Sequence, residues 1–230
     1  MIQYTDVFNQ DTMNIFTDAS IYYHGKETIG LPGYIVVIGN RIIDSRVEVL
    51  RQSTNSQSEL YAIKMAVDYA VRNRYVYNPK VINVFSDSSV SIYSLREWIF
   101  KWLAKSRNDT FYNSSNVEVY HRNIIMSIIN TIMENNMPIN LYHNRGHQNP
   151  RNPKQMNNFI KRFREMNFLN DDISRELATS IMMYNNSIDH MTRKYINMVD
   201  ISSVPVLAIP DYYAYNFDTT TYRKLLNIKE

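Results

Sequence analysis

A chain of 230 residues in which 44% are hydrophobic and 20% are charged has the composition of an ordinary soluble globular protein with one main core. Its formal net charge of +3 is too small to argue by itself for a nucleic-acid partner. The sequence contains no cysteine, which excludes a disulfide framework and a thiolate metal site. A bound metal would therefore be held by carboxylates, imidazoles and water, a ligand set that favours Mg²⁺ or Mn²⁺.

Apolar runs are short throughout the sequence. The longest, residues 34–38 and 124–129, fall far short of the roughly 20 residues that span a bilayer, and no basic apolar leader opens the chain. We therefore expect a cytoplasmic monomer with no membrane partner. The abundance of Asn, Ile, Tyr, Met and Lys is typical of an AT-rich genome such as a viral one, and in that case the location would be the host cytoplasm.

The first half of the chain predicts an antiparallel meander followed by a helix and a further strand. Alternating or continuous apolar residues indicate strands at 14–17, 33–38 and 42–50. Residues 53–58 supply turn and cap side chains, after which apolar residues recur at helical spacing, so a helix is predicted to begin near Glu59. A loop around Asn78 and Pro79 then leads to a strand at 81–86 that ends at Asp87.

The second half predicts more helices and one more strand. The residues Ile92, Leu95, Ile99 and Trp102 share a helical face, 107–116 is polar and predicted to be a loop, and 123–133 is a further helical run. A strand is predicted at 139–143 and a final helix near Asp171. This order predicts a mixed sheet flanked by helices.

Four carboxylates stand at the ends or starts of these elements: Asp18, Glu59, Asp87 and Asp171. Taken singly, an aspartate at such a position is more often a structural cap. Gathered together without a metal they would repel one another, so a purely structural role for all four is energetically unfavourable. Hydrolysis of a phosphodiester by two metal ions needs such a set, because the ions activate water and stabilise the leaving oxygen.

Seven ordered pieces of the chain resemble motifs of ribonuclease H of the bacterial and eukaryotic type 1 kind. The motifs TDGS, TNNxxEL and TDS are matched by residues 17–20, 54–60 and 86–88, which contain Asp18, Glu59 and Asp87. The pattern WIxxW is matched by the chain's two tryptophans, Trp98 and Trp102. Residues 121–123 resemble VKN, 145–147 resemble xGH, and 167–175 fit NxxxDxLAR. The resemblance covers roughly residues 12–182.

This resemblance implies an α/β fold, a ribonuclease H-like mixed five-stranded sheet flanked by helices, with a C-terminal extension. It implies a catalytic domain at 1–184 and an extension at 185–230 of unassigned role, whose apolar stretch 204–209 and tyrosines would dock on the domain or on a protein partner. It also implies a metal-dependent endoribonuclease that cleaves the RNA strand of RNA:DNA hybrids with two Mg²⁺ or Mn²⁺ ions.

The resemblance further implies the residues of the site. Asp18, Glu59, Asp87 and Asp171 would hold the metals, and His147 on a mobile loop would carry a proton at the leaving side. The residues expected to contact the hybrid are Ser20, Asn55, Ser56, Gln57, Trp98, Arg122 and Asn123.

Several alternatives stay open at this stage. Asp172 competes with Asp171, which is preferred because only that register places Asn167, Ile173 and Arg175 at matching positions. The basic insert at 148–166 is either a helix that offers cations to phosphates or a helix with an ordinary solvated face. Trp98, Arg122 and Asn123 also have plain structural interpretations. A non-catalytic nucleic-acid-binding module with this fold is the alternative function, and a DNA nuclease or junction resolvase is a third.

Overall fold

A mixed sheet of six strands runs through the centre of the molecule. The computed structural model describes residues 1–106, 110–204 and 218–228. The strands are β1 (Thr12–His24), β2 (Glu27–Ile38), β3 (Arg41–Val47), β4 (Leu50–Arg51), β5 (Val81–Ser86) and β6 (Asn140–His143). Their order is β3-β2-β1-β5-β6, and the two-residue β4 pairs with β2 off this path.

The first three strands form the expected meander, and β5 and β6 are added in parallel. β1 and β2 pair antiparallel along their full length, and β1 pairs with β5 in the parallel sense. The predicted fold class, a mixed sheet flanked by helices, is confirmed. The sheet has six strands rather than five because β4 adds a short pairing at the end of β2.

Helices cover both faces of the sheet. They are α1 (Tyr4–Val7), α2 (Asn55–Tyr77), α3 (Ser89–Tyr93), α4 (Ile99–Lys105), α5 (Arg122–Glu134), α6 (Pro153–Met166), α7 (Arg175–Tyr195) and α8 (Thr219–Leu225). A π-helical turn, Ser94–Trp98, joins α3 to α4. None of the helices in the described ranges is long and apolar enough to cross a membrane.

Alternate residues of the central strands feed two separate cores, as the pleat requires. On one face Met13 and Ile15 pack with α2, the α3–α4 segment and α5. On the other face Phe16 and Phe85 pack with α6 and α7.

The last part of the domain contains the helix expected in the insert and the final helix expected near Asp171. The insert at 148–166 forms a helix of its own, α6, and α7 begins four residues after Asp171. The expected domain boundary between residues 184 and 185 lies inside the continuous helix α7, whose far half contacts β1 and β2. Helix α7 therefore packs as one element on the domain built around the sheet.

The described parts of the C-terminal extension pack on the domain, in line with the expected docking. Tyr195 at the end of α7, and Ile196 and Ile201 after it, pack against Ile29, Leu31 and Val47 on the sheet. Tyr222 of α8 is fully buried and donates a hydrogen bond to the Leu95 carbonyl. Most of the apolar stretch 204–209, together with Tyr212, Tyr213 and Tyr215, lies outside the described residues.

An asparagine ladder crosses three strands of the sheet. Asn14, Asn83 and Asn140 are register partners on β1, β5 and β6. Asn83 donates to Asn14 at 2.9 Å, Asn140 donates to Asn83 at 2.8 Å, and Asn227, just after α8, donates to Asn140 at 2.8 Å. At the other end Asn14 donates to the Val7 carbonyl. The ladder thus connects the segment after α8 to the N-terminal segment through the sheet.

Candidate active site

Three of the four predicted carboxylates converge at one end of the sheet. Asp18 lies inside β1, Glu59 in the second turn of α2, and Asp87 directly after β5. One carboxylate oxygen from each lies within 4.8 Å of the others. Asp18 and Glu59 are buried, with 5% and 7% of their surface exposed, and Asp87 is partly buried.

Local packing explains how these side chains reach each other. Thr54 caps α2 by accepting a hydrogen bond from the Gln57 amide, which fixes where the helix starts and hence where Glu59 points. Gly30 on β2 lies so close to the Ser58 hydroxyl that any side chain at this position would clash with it, and this brings the start of α2 against the sheet. Glu59 follows Ser58 directly and is thereby directed towards β1.

Burial and mutual repulsion make the charged form of these carboxylates unfavourable. Desolvation raises the pKa of Asp18 to about 8, with further contributions from Asp87 and Asp189. Burial also raises the pKa of Glu59 well above its ordinary value, and the charge of Asp18 adds to this effect. The pKa of Asp87 is likewise raised by burial, against which hydrogen bonding from Asn185 acts.

The structure does not bring Asp171, the predicted fourth carboxylate, to the other three. The Asp171 side chain is 66% exposed, precedes α7 and lies 3.6 Å from the N-terminal amine of Met1. Its competitor Asp172 pairs with Arg164 at 3.1 Å. Asp189 from the middle of α7 lies beside the cluster instead: it lines the same cavity as Asp18, Glu59 and Asp87, and its charge raises the pKa of all three.

The sequence pattern that predicted Asp171 as the fourth carboxylate occurs twice in the chain. This explains why Asp171 was expected at the site. Asn167, Asp171 and Arg175 have the same spacing as Asn185, Asp189 and Arg193, 18 residues later. Asp171 of the first copy precedes α7, whereas Asp189 of the second lies within α7 and lines the cavity. The signal that separates them is burial: Asp189 directly follows Ile188, which is fully buried and would meet any Cβ added to Gly33, the register partner of Asp18.

The fourth carboxylate is held by a neighbouring arginine. Arg193, one turn further along α7, donates to Asp189 at 2.7 Å and lines the same cavity. Its charge also acts to lower the pKa of Asp18. The sequence did not predict a role for Arg193, although its place in the second copy of the pattern identifies it.

Asp87 is enclosed by residues of the loop after β6. A Cβ at Gly146 would clash with the Asp87 carboxylate, so the backbone at this position approaches the side chain closely. The His143 ring lies 3.3 Å from the Asp87 carbonyl through Nε2, and the Asn185 side chain hydrogen-bonds the Asp87 carboxylate. This close approach gives a physical reason for the glycine in the xGH motif.

His147 lies at the rim of the same cavity. Its Nδ1 is 3.7 Å from Asp189 Oδ2, and 63% of its side chain is exposed. Its backbone has φ 52°, a left-handed conformation that is uncommon for a residue with a side chain. The structure thus brings His147 to the rim of the cavity that the carboxylates line.

The residues expected to contact substrate are divided between the cavity and its surroundings. The active-site cavity, about 610 Å³, is lined by Asn55 and Ser20 in addition to the carboxylates. The Ser20 hydroxyl lies 2.9 Å from that of Thr192, so α7 fixes its position. Ser56 and Gln57 follow Asn55 in the first turn of α2 and are partly exposed.

Trp98 lies at a second cavity of about 550 Å³, which the α3–α4 segment shares with residues 112–125. It is partly buried and packs against Trp102, with the two ring centroids 5.9 Å apart, while Lys101 lines the same space. Trp102 is 8% exposed and belongs to the core, as the plain interpretation expected. Arg122 and Asn123 begin α5, directly after His121 at the edge of this cavity.

Helix α6 has one buried face and one basic face. Met156, Phe159 and Phe163 are buried against the sheet. On the other face Lys161 and Arg162 both pair with Glu165, and Arg164 pairs with Asp172. These ion pairs fit the ordinary solvated helix better than a row of free cations.

The donor set fits a hard divalent cation. Carboxylate oxygens from Asp18, Glu59 and Asp87 converge, which is the ligand type that Mg²⁺ and Mn²⁺ prefer. Glu59 Oε2 is buried without a hydrogen-bond partner in the described part of the chain. A cation at this position would satisfy that oxygen and offset both the burial and the mutual repulsion that raise the three pKa values.

The mixed sheet, with a carboxylate cluster beside the middle of β1 and the end of β5, defines a ribonuclease H-like protein. The sequence profile of the RNase H family matches residues 10–162, more than half of the chain, so the chain belongs to the RNase H family. The matched segment ends before α7, and the place of Asp189 therefore follows from the structure. A search of curated proteins found no match.

Solved structures with similar folds are only distantly related in sequence. A foamy viral protease-reverse transcriptase in complex with an RNA/DNA hybrid is 17% identical, and the match covers 58% of this chain and 17% of that chain, with a TM-score of 0.47. RNase H1 from Halobacterium salinarum is 15% identical, over 58% of this chain and 86% of that one, with a TM-score of 0.41. LC11-RNase H1 with an RNA/DNA hybrid is 15% identical, over 58% and 85%, with a TM-score of 0.43.

Proposed function

We propose that this protein is a metal-dependent endoribonuclease that hydrolyses the RNA strand of RNA:DNA hybrids. The observation that carries the proposal is the convergence of Asp18, Glu59 and Asp87, with Asp189 beside them, in a chain of the RNase H family. A cluster of carboxylates with raised pKa values is unfavourable in the isolated protein and becomes favourable when cations are bound.

The residues of the cluster would hold two divalent ions, Mg²⁺ or Mn²⁺. Bound there, such ions supply an activated water and stabilise charge on the phosphate and on the leaving oxygen. Asp18 on β1, Glu59 on α2 and Asp87 after β5 would be the ligands, because one carboxylate oxygen of each lies within 4.8 Å of the others. Asp189 of α7, which lines the same cavity, would support them.

The protein's own groups would provide a proton and orientation. His147, exposed at the cavity rim beside Asp189, is placed to deliver a proton to the leaving oxygen. Asn55 and Ser20 line the same cavity and offer polar groups of the size that reaches 2′-hydroxyls in the wide minor groove of a hybrid. Ser56, Gln57, Trp98, Arg122 and Asn123 are proposed to contact the two backbones further away.

Asp87→Asn tests the proposal, because it removes the charge of one ligand with almost no change of shape. The labelled substrates are an RNA:DNA hybrid, duplex RNA, duplex DNA and single strands, each with Mg²⁺, Mn²⁺ or chelator. We expect the wild-type protein to cut only the RNA strand of the hybrid and only with metal. The Asn variant should bind the hybrid without cutting it.

Two results would contradict the proposal. Cleavage by Asp87→Asn at the wild-type rate would show that the cluster is not the site. Binding of hybrid by the wild-type protein without cleavage in either metal would favour a non-catalytic nucleic-acid-binding module with this fold.

A further inference from the structure

Two buried asparagines in series support the Asp87 carboxylate. Asn144 follows β6 directly and is fully buried. Its Nδ2 donates to Asn185 Oδ1 at 2.8 Å, and Asn185, on α7 and 2% exposed, hydrogen-bonds the Asp87 side chain. The chain Asn144–Asn185–Asp87 therefore connects the loop after β6, helix α7 and the cluster.

The chemistry of the three groups fixes the direction of every hydrogen bond. An ionised carboxylate only accepts hydrogen bonds, so Asn185 must turn its NH₂ group towards Asp87. Its Oδ1 then faces Asn144, which must donate. If residue 144 could not donate, Asn185 would lose the partner that keeps its oxygen turned away from the negatively charged Asp87.

Asn144 is also an unfavourable residue for this position on stability grounds. Its Oδ1 is buried and has no hydrogen-bond partner in the part of the chain that the structure describes. An unpaired buried acceptor is destabilising, and an apolar side chain of similar size would avoid that loss. The donor that Asn144 supplies to Asn185 gives a reason for a polar residue here.

We propose that Asn144 is a positioning residue, which acts through Asn185 to hold the Asp87 carboxylate in the orientation that binds a divalent metal. The inference rests on the proposed function, because it assumes that the carboxylates bind Mg²⁺ or Mn²⁺. Residues that orient metal ligands from behind typically change metal affinity by about 10- to 100-fold when replaced.

Two measurements on the substrate-free protein provide the test. Mn²⁺ binding is measured by calorimetric titration, and Mg²⁺ binding is measured by the rise in melting temperature. The variants Asn144→Val and Asn144→Ala remove the donor, so one of them serves if the other does not fold. Asn144→Thr keeps a hydroxyl donor in nearly the shape of valine. Asn83→Val is the matched control, because Asn83 is a buried asparagine of the same sheet whose partners Asn14 and Asn140 lie outside the cluster.

We expect Asn144→Val and Asn144→Ala to bind metal about 10-fold more weakly than wild type, and Asn144→Thr to fall between them and wild type. In cleavage assays the Mg²⁺ concentration for half-maximal rate should rise by the same factor, while the rate at saturating Mg²⁺ recovers. Asn83→Val should melt at a lower temperature and bind metal as tightly as wild type.

The possible failures are distinguishable. If the wild-type protein binds neither Mn²⁺ nor Mg²⁺, the proposed function itself fails. If wild type binds metal and the Val and Ala variants bind it equally well, the positioning role of Asn144 is overturned. It is also overturned if Asn83→Val weakens metal binding as much as Asn144→Val, because the effect would then be general destabilisation.

Discussion

Asp171 and Asp189 share the same sequence pattern but lie in different surroundings. Asp171 is 66% exposed beside the N-terminal amine, whereas the Asp189 side chain is 20% exposed and held by Arg193. An exposed ion pair of the first kind contributes little to stability or function, because solvent screens it. The second aspartate faces three other carboxylates across the cavity and should respond to a metal.

Replacing each of these two aspartates by asparagine should separate their roles. Asp189→Asn should reduce hybrid cleavage by at least about 10²-fold, since a ligand or orienting carboxylate near the metal is removed. Asp171→Asn should leave the cleavage rate unchanged. Single-turnover rates of both variants in Mg²⁺ give the answer, and a strong loss with Asp171→Asn alone would restore the original assignment.

His147 should matter less than the carboxylates. A positioned group that transfers a proton typically contributes about 10²- to 10⁴-fold to a rate. His147→Ala should therefore slow hybrid cleavage by an amount in this range without abolishing it, and it should leave metal binding unchanged. His190, which is exposed and next to Asp189 in sequence, provides the control variant His190→Ala. A complete loss with His147→Ala, or no loss at all, would argue against proton transfer.

At the scale of elements, the sequence predicts best where burial and periodicity coincide. Apolar alternation and the capping residue Thr54 locate the meander and α2, and β5 ends at Ser86 just before Asp87, as predicted. β1 extends beyond residue 17, where the prediction ended. The prediction ended there because Asp18 and Ser20 interrupt the apolar pattern inside the strand. Polar residues that serve a site break the pattern from which a strand is predicted.

The fourth carboxylate could not be placed from the sequence because its choice depends on tertiary packing. Helix α6 packs on Phe85 and Tyr142, and α7 follows it in the chain. Within α7, Ile188 packs close to Gly33, the register partner of Asp18, and Asp189 follows Ile188 directly. Neither the spacing nor the types of the residues in the sequence predict the contact of Ile188 with Gly33.

The basic face of α6 should make only a small contribution to hybrid binding. Lys161, Arg162 and Arg164 share two acidic partners, Glu165 and Asp172. Replacing all three cations by alanine should reduce the slope of log K against log salt by no more than about 0.9, the value for roughly one phosphate contact. The control is Lys80→Ala. This variant removes a cation that directly precedes β5 and pairs with Asp11.

Binding measured by fluorescence anisotropy over a range of salt concentrations tests this expectation. A loss of slope of about 2 to 3 would mean that all three side chains leave their acidic partners for phosphates. That result would restore the basic insert as a nucleic-acid contact.

At the scale of the whole molecule, the carboxylate cluster opposes folding. A carboxyl group whose pKa is raised by folding stabilises the folded state most at a pH below its pKa in the unfolded chain. That contribution to stability is lost as the pH rises through its pKa in the folded protein. For Asp18 this window extends from about 4 to about 8. One pKa unit corresponds to about 1.4 kcal/mol, so even a fraction of this shift is measurable.

Asp18→Asn should therefore stabilise the protein in chelator, by an amount that grows as pH rises from about 4 to about 8. It should also remove most of the stabilisation by Mg²⁺, which for a Kd on the order of 1 mM is roughly 1.4 kcal/mol at about 10 mM metal, or roughly 3 to 6 °C. Thermal melts of both proteins, with metal and with chelator across this pH range, provide the measurement. Equal responses to metal would exclude Asp18 from a metal site.

The asparagine ladder has a consequence for the order in which the sheet is completed. Parallel strands that are apolar on both faces tolerate a slip of two residues, but a slip here would separate Asn83 from Asn14 and Asn140 and leave buried amides unpaired. Strand β6 is anchored from outside by Leu225, whose carbonyl accepts from the Ile139 amide, and by Asn227, which donates to Asn140. During synthesis β6 therefore lacks its outer anchors until residues 225–227 have left the ribosome, and a nascent chain ending earlier should expose this strand to pairing with other chains.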